Sequence, residues 1–557
     1  MAPRISQSAC WTDTAMPARY WTFALCVVLT LACILAIPMH PGWAWPAGIL
    51  GTLVLVGVID LLQESQTLRR NYPVIAHLRY FLESLGPEIR QYFIESDNDE
   101  RPFSRQQRTV VYQRAKNALD KRPFGTQLDV YADNYEWINH SIMPAAIPSH
   151  DFRVEIGTGV AQPYSASVFN ISAMSFGALS ANAIRALNEG ARQGNFYQDT
   201  GEGSISRYHR ENGGDLVWEI GSGYFGCRDG EGRFDEASFV ANASSPQVRM
   251  IEVKLSQGAK PGHGGVLPGV KVSPEIAAAR GVPVGVDCVS PARHSAFSTP
   301  IELLQFVDRL RKLSGGKPTG FKLAIGHPWE WFAIAKAMHE SGILPDFIVV
   351  DGGEGGTGAA PLEFTDHVGV PLREALLLVH NTLVGLSLRP RIRIGAAGKI
   401  ITAFDIARTM AMGADWCNAG RGYMFALGCI QSLSCHTDRC PTGVATQNQA
   451  RQRALVPEDK AARVLRFHEN TLMALRELIA AAGLEHPGQL GPEHIIRRIS
   501  STKVASLSML IPFIEPGALL HGKLPEHPVF EAFWPEARSD SFAAPARAMA
   551  MRSTKIR

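Results

Sequence analysis

The alternation of apolar and polar positions divides the chain into distinct regions. Near the N-terminal end, the 17 residues from Trp21 to Ile37, WTFALCVVLTLACILAI, carry no charge, and a second uncharged run from Trp43 to Ile59 follows the link PMHPG. At about 1.5 Å of rise per residue, each run approaches the length that spans a hydrocarbon core of roughly 30 Å. We read two transmembrane helices, about 21–37 and 43–62, within a segment 1–66. A cleaved signal peptide or a buried helical hairpin is the alternative, but no A-x-A site closes the first run. Arg4 and Arg19 precede the first span, Arg69 and Arg70 follow the second, and the linker holds neither Lys nor Arg. The positive-inside rule then puts both ends at the cytoplasmic face of the membrane, with the large remainder in the cytoplasm.

Residues 67–145 mix charged and apolar positions at helical spacing, as in IAHLRYFLESLGPEIRQYF, and predict a helical collar. Beyond it the strand-like runs SVFNISAM, GVPVGVDCV, GFKLAIG, DFIVVDGG and RIRIGAAG alternate with helical stretches such as ALSANAIRALNEGARQG and FDIARTMAMGA. Strands that end in Gly-rich turns and lead into amphipathic helices indicate βα units around a parallel sheet. The Gly-rich turns recur on many strands, and no G-x-G-x-x-G with a downstream ribose-binding acid occurs. An α/β fold of the (β/α)8 barrel type over 146–500 is therefore expected, not an open doubly wound sheet. Residues 501–557 form an extension, and its end, SFAAPARAMAMRSTKIR, reads as a disordered basic tail.

Composition adds exclusions. The 557 residues, 46% hydrophobic and 19% charged, suit one large barrel with appendages and no small module. Lys plus Arg number 55 against 52 for Asp plus Glu, and a formal charge of +3 spread this thinly gives no footprint for nucleic acid. Nine unevenly placed cysteines make no disulfide scaffold, and three of them crowd into CIQSLSCHTDRCPTGVATQ as Cys429, Cys435 and Cys440. Three thiolates so spaced can wrap an iron–sulfur cluster with one corner free of protein ligands. Structural zinc would want a fourth ligand, for which His436 is the nearby candidate, and plain core cysteines are the third reading. Gly355, Gly356, Thr357 and Gly358 form a turn at a strand end whose backbone N–H groups can approach a phosphate, and Gly395, Gly398, Gly420 and Gly422 are read as further loops of that kind. Late strands are where barrels hold phosphate.

The cysteine segment closely resembles the cluster loop of the glutamate synthase family. Other segments match in order: NISAMSFGALS from Asn170, DTGEGS from Asp199, KLSQGAKPGHGGVLPG from Lys254, FKL from Phe321 and DGGEGGTGAAP from Asp351. The resemblance covers roughly Phe152 to Leu475 and implies a barrel that binds FMN and a three-iron four-sulfur (3Fe-4S) cluster held by Cys429, Cys435 and Cys440. It implies that Met174 and Ser175 lie along the isoalloxazine and that Lys322 puts a cation beside the reduced ring. Lys254, Lys260 and Arg280 would hold the carboxylates of 2-oxoglutarate, with Glu202 near the reacting carbon and Glu202 and Lys260 as the catalytic pair. Three positions depart from the family: Val266 and Glu219 stand where glutamines are usual, and His263 replaces a glutamate. A different 2-oxo acid is therefore open.

The expected form stands alone, membrane-anchored, without a glutaminase domain or a C-terminal β-helix. The expected activity is reductive amination of a 2-oxo acid, 2-oxoglutarate to L-glutamate, with ammonia or an amine. An N-methylglutamate synthase-like enzyme, an amino or hydroxy acid dehydrogenase and a membrane-tethered redox relay are the alternatives. No nicotinamide fingerprint occurs, so a separate electron-donor protein is expected.

Overall fold

The computed structural model describes residues 18–63, 65–96, 101–521, 524 and 526–545, and the chain divides into two units, Met1–Glu100 and Arg101–Arg557. In the first unit the helices Trp21–Ala36 and Ala44–Leu62 pack on each other. The turn between them is held by His40, whose Nδ1 accepts from Gly42 N at 3.0 Å. The two-span expectation is corrected in part. Among the described residues one stretch, Pro41–Leu62, is long and apolar enough to cross a membrane, whereas Trp21–Ala36 has 16 residues. At 1.5 Å per residue that is about 24 Å, short of the hydrocarbon core. Both helices leave large apolar side chains uncovered, among them Val28, Leu31, Leu35, Ile49, Leu55 and Leu62. Asp60, near the end of the second helix, is buried and paired with His77 Nε2 at 2.9 Å, and it accepts from Val74 N at 3.0 Å. Arg19 lies in the turn Ala18–Tyr20, Arg69 and Arg70 lie in the helix Thr67–Asn71, and Arg4 lies outside the described residues.

The stretch 67–145 is shared between the units. Thr67–Asn71 and Ile75–Ile89 belong to the first. In the second, the helix Arg105–Ala115 starts at a capping box in which Ser104 Oγ accepts from Gln107 N and Gln107 accepts from Ser104 N.

Among the described residues, fifteen strands follow in chain order. They are β1 (Glu136–Ile138), β2 (Arg153–Ile156), β3 (Tyr164–Ser167), β4 (Phe169–Ile171), β5 (Gln198–Asp199), β6 (Leu216–Ile220), β7 (Val248–Lys254), β8 (Val266–Leu267), β9 (Cys288–Val289), β10 (Thr319–Leu323), β11 (Phe347–Asp351), β12 (Arg393–Ala397), β13 (Trp416–Ala419), β14 (Ile495–Arg498) and β15 (Val504–Ser506). Eight of them, β4-β5-β6-β7-β10-β11-β12-β13, form a closed parallel barrel, as expected. Each is followed by helix, and the helix Ala181–Gln193 shows why. Ser180 Oγ caps it by accepting from Ala183 N, and Ala183, Ile184, Leu187 and Ala191 recur at helical spacing on its buried face. The 25-residue helix Pro457–Ala481 packs across it and against Arg105–Ala115.

GVPVGVDCV does not supply a barrel strand. Gly281 and Gly285 take left-handed φ of +65° and +73°, which breaks the extended run, and the surviving β9 pairs antiparallel with β8. The antiparallel hairpin β2–β3 plugs one end of the barrel, where Ile156, Tyr164 and Ala166 join Tyr197, Val217, Met250, Phe347, Val349 and Trp416 in one apolar cluster. β1, β14 and β15 make a small antiparallel sheet at the periphery. Of the basic tail, residues 541–545 are described and the rest lies outside the described residues.

Candidate active site

Strand register decides which polar side chains enter the barrel. The pairings Glu219↔Glu252, Lys254↔Lys322, Lys322↔Val349 and Asp351↔Ala397 put Glu219, Glu252, Lys254, Lys322 and Asp351 on the inner face, and Asp199 joins them through its pairing with Val217. Carboxylate oxygens of Asp199, Glu219 and Glu252 lie within 4.8 Å of one another, all buried. Lys322 Nζ donates to Glu219 and stands 3.5 Å from Glu252, and Lys254 Nζ reaches Glu219 at 3.9 Å. Three acids around one buried amine cannot all ionise. Burial and Glu219 push Asp199 up to about 7, against the pull of Lys322, and burial and Asp199 raise Glu252 well above the usual range. Burial opposes the charge on Lys322, but Glu219, Glu252, Asp199 and Asp351 hold its pKa well above the ordinary lysine value. Lys322, expected as a cation facing a flavin, is thus already matched by acids of its own barrel. Sequence reading singled out Glu219 and missed Asp199 and Glu252 as a set.

Above this layer lies the mouth. Lys254, the last residue of β7, donates to Glu202 Oε2 at 2.8 Å. Burial alone would raise the Glu202 pKa, yet Lys254, Arg280 and Lys260 hold it at about 2, so Glu202 is a carboxylate at neutral pH. Burial and the neighbouring Lys254 lower the pKa of Lys260, against the pull of Glu202. The four residues expected at the substrate are therefore together. Arg280 is partly committed elsewhere, since its Nη2 donates to Phe176 O at 3.1 Å and Ser175 Oγ at 3.3 Å. Those bonds tie it to the turn after β4 that carries half-buried Met174 and Ser175. A Cβ on Gly265 would overlap the Glu202 carboxylate, so glycine here leaves room for the Glu202–Lys254 pair. A cleft lined by Glu202, Ser222, Lys254, Gln257, His263 and Pro291 opens beside the pair. His263 sits in it with its ring edge against Phe364, centroids 5.4 Å apart, while Val266 is half-buried in β8.

Gly355, Gly356, Thr357 and Gly358 follow β11, and Gly398 follows β12, as loops. Two expected loop glycines are elsewhere. Gly395 lies within β12, where a Cβ would come 2.5 Å from the Trp416 ring, and Gly422 lies within the helix Arg421–Leu427 against Phe467; Gly420 precedes that helix. Gly395 and Gly422 are both closely packed and neither lies in a loop. The residue the sequence reading passed over is Arg421, between two glycines it did name. Its Nη2 donates to Thr357 O at 2.6 Å, and a Cβ on Gly356 would stand 2.9 Å from its Nε. A guanidinium beside a glycine turn at the ends of the sixth and eighth barrel strands fits a phosphate, and with Met174 and Ser175 half-buried nearby in the same mouth, the residues suit FMN.

The thiol loop begins at Gly428 and turns through left-handed Gln431, Leu433 and Asp438. Cys429 and Cys440 are buried and Cys435 half-buried. Burial pushes the Cys429 thiol up to about 11. Burial acts the same way on Cys440, but the Thr442 hydroxyl and the backbone N–H groups of Ala445, Thr442 and Val444 bring it below the ordinary thiol value. N–H groups aimed at sulfur are the surroundings that stabilise a thiolate-ligated cluster. Zinc fits less well: three thiolates on one ion would lie about 3.8 Å apart, whereas the trio that converges within 4.8 Å among the described residues is carboxylate, and His436 is exposed. The segment before the barrel braces this loop. Tyr112 Oη donates to Cys429 O at 2.6 Å, and Gln431 Nε2 donates to Phe103 O at 3.2 Å.

A closed parallel barrel with paired charges and glycine turns at its mouth, and a thiol loop after the last barrel strand, defines the class to which the molecule belongs. Residues 148–485 match the model of the conserved region in glutamate synthase. The glutamate synthase large subunit-like protein YerD of Bacillus subtilis (strain 168) is 35% identical over 534 residues, which cover 88% of this chain and 99% of that protein. This chain belongs to the glutamate synthase family. The archaeal glutamate synthase (NADPH) of Methanocaldococcus jannaschii is 36% identical over 315 residues, and the match spans 58% of its length. Among solved structures, a doubly substituted flavocytochrome b2 with sulfite bound is 11% identical and covers 82% of this chain and 92% of its own, with a TM-score of 0.40.

Proposed function

We propose that this protein is an oxidoreductase of the CH–NH2 class that uses FMN and a 3Fe-4S cluster to aminate a 2-oxo acid reductively, 2-oxoglutarate to L-glutamate, with ammonia or an amine. The observation that carries this reading is the gathering of Lys254, Lys260 and Arg280 around ionised Glu202, beside Met174 and Ser175. A diacid needs at least two cations, and a substrate carboxylate that reaches Lys254 takes over part of its pairing with Glu202.

Bound FMN supplies a hydride. The rest falls to the chain. The 2-oxo acid and ammonia lose water to give an imine, whose carbon takes the hydride and whose nitrogen takes a proton. Lys260, its pKa lowered by burial, is suited to hand a proton to the departing oxygen and take one back. Glu202, held as a carboxylate, is suited to steady a positively charged nitrogen. Electrons would reach the barrel from a separate donor protein through the cluster on Cys429, Cys435 and Cys440. The apolar helices of the first unit would hold the protein at the cytoplasmic membrane with the barrel on the cytoplasmic side. That reading is supported by Arg69 and Arg70 after the apolar stretch and by the absence of Lys and Arg between Tyr20 and Leu68.

The test is direct: anaerobically purified protein, loaded with FMN and given a reductant, ammonia and a panel of 2-oxo acids, should form an amino acid, most readily glutamate. Product from none of the panel overturns the reading.

A further inference from the structure

Lys271 belongs to none of the groups above, yet it is buried, at 2% exposure, in the short turn Gly269–Lys271. Its Nζ donates to Ala178 O at 3.1 Å, in the turn that follows Met174 and Ser175. The same turn is stitched to the thiol loop from the other side. Gln447 Nε2 donates to Gly177 O at 3.0 Å and Leu179 O at 2.9 Å, and Ser180 N donates to Val444 O at 2.9 Å. Gln447 N in turn donates to Asp438 Oδ1 at 2.6 Å, within the thiol loop itself. Burial lowers the pKa of the Lys271 ammonium, and Asp438, Cys435 and Cys440 pull against it. One buried cation therefore lies where the turn beside the flavin position meets the turn that carries the thiols.

We infer that Lys271 is a positioning residue for electron entry: its ammonium holds Ala178, in the Met174–Ser180 turn that is hydrogen-bonded to the thiol loop, and stabilises the added negative charge of the reduced cluster. The inference rests on the iron–sulfur reading of Cys429, Cys435 and Cys440. A fixed cation near a cluster favours the form that has gained an electron, because water cannot screen it in a buried site.

The experiment is a redox titration of anaerobically purified, FMN-loaded protein, with the cluster followed by electron paramagnetic resonance, on wild type, Lys271→Met and Lys271→Arg. At the potential where the wild-type cluster is half reduced, Lys271→Met should show an oxidised-to-reduced ratio raised tenfold or more, which is 59 mV for one electron. Lys271→Arg should stay within threefold of wild type, and FMN content should be equal in all three. Loss of iron in Lys271→Met with retention in Lys271→Arg also supports the inference, since the charge is then what the loop needs. Iron present and the ratio unchanged in Lys271→Met overturns it, as does loss of iron in both variants. Iron absent from wild type refutes the cluster reading itself, a result distinct from the others.

Discussion

Replacing Asp199 by Asn tests whether the barrel truly holds more acid than its lysines can balance. Asp199 is raised from the ordinary 3.8 to about 7, by burial first and then by Glu219. The sign follows from linkage. In the unfolded chain the carboxyl loses its proton near pH 4, while in the folded barrel it keeps it until about pH 7, so the stability it confers is complete below its unfolded pKa and is lost as pH rises through the folded one. A shift of about three units corresponds to about 4 kcal/mol. The Asp199→Asn substitution keeps an acceptor for Gly201 N, which donates to Asp199 Oδ1 at 2.9 Å, and removes the titrating proton. The variant should match wild type near pH 4 and gain on it by about 1.4 kcal/mol per pH unit until near pH 7. For a folded unit the size of Arg101–Arg557 the unfolding entropy is about 1 kcal/mol/K, so the full gain is about 4 °C in melting temperature. Calorimetry of both proteins at pH 4.5, 6 and 8 measures the difference directly. A difference that stays flat across this range, or that favours wild type at pH 8, would refute the idea of a crowded, proton-retaining acid layer.

Three further outcomes are expected. Arg421→Ala removes the guanidinium beside Thr357 and should weaken FMN about 10- to 100-fold in equilibrium dialysis, the worth of a charge-assisted hydrogen bond; an unchanged Kd would show that the phosphate sits elsewhere. Gly265→Ala drives the Glu202 carboxylate off Lys254 and should lower kcat/KM about a hundredfold with FMN content unaltered, so wild-type turnover would show that the Glu202–Lys254 pair is dispensable. Cys435→Ser should abolish bound iron and reduction by an external donor while FMN stays bound, and full iron content would assign this thiol to packing.

What the sequence disclosed and what it hid follow from how local each feature is. The glycine turn 355–358, the thiol spacing and the run KLSQGAKPGHGG are contiguous, and their chemistry needs little help from distant chain. Four of the five strand-like runs became barrel strands, and in three of them, GFKLAIG, DFIVVDGG and RIRIGAAG, the short apolar segment is closed by glycine. β5 escaped notice because it is two polar residues long, and GVPVGVDCV misled because its glycines adopt left-handed conformations that composition alone does not reveal. Arg421 was hidden by its neighbours, since a single arginine between glycines carries no spacing signal until Thr357 is brought to it from β11. Glu252 was hidden because a single acid in VRMIEVK carries no spacing signal, and only the pairing of β6 with β7 brings it beside Glu219.

Barrel closure changes the meaning of Lys322. The family resemblance implies a cation beside a reduced flavin ring. Within the barrel, strands β5, β6 and β7 bring Asp199, Glu219 and Glu252 to it, while Lys254 and Glu202 form a second pair nearer the mouth. Charge is therefore sorted by depth: protonated or lysine-matched acids below, an ionised carboxylate among three cations above. An anion placed in the cleft would meet the upper set, where net positive charge remains. It does not meet the lower set, where Glu219 already holds the lysine. Proton retention in the lower layer thus follows from one arrangement, the placement of Asp199, Glu219 and Glu252 on the inward faces of three neighbouring strands, β5, β6 and β7.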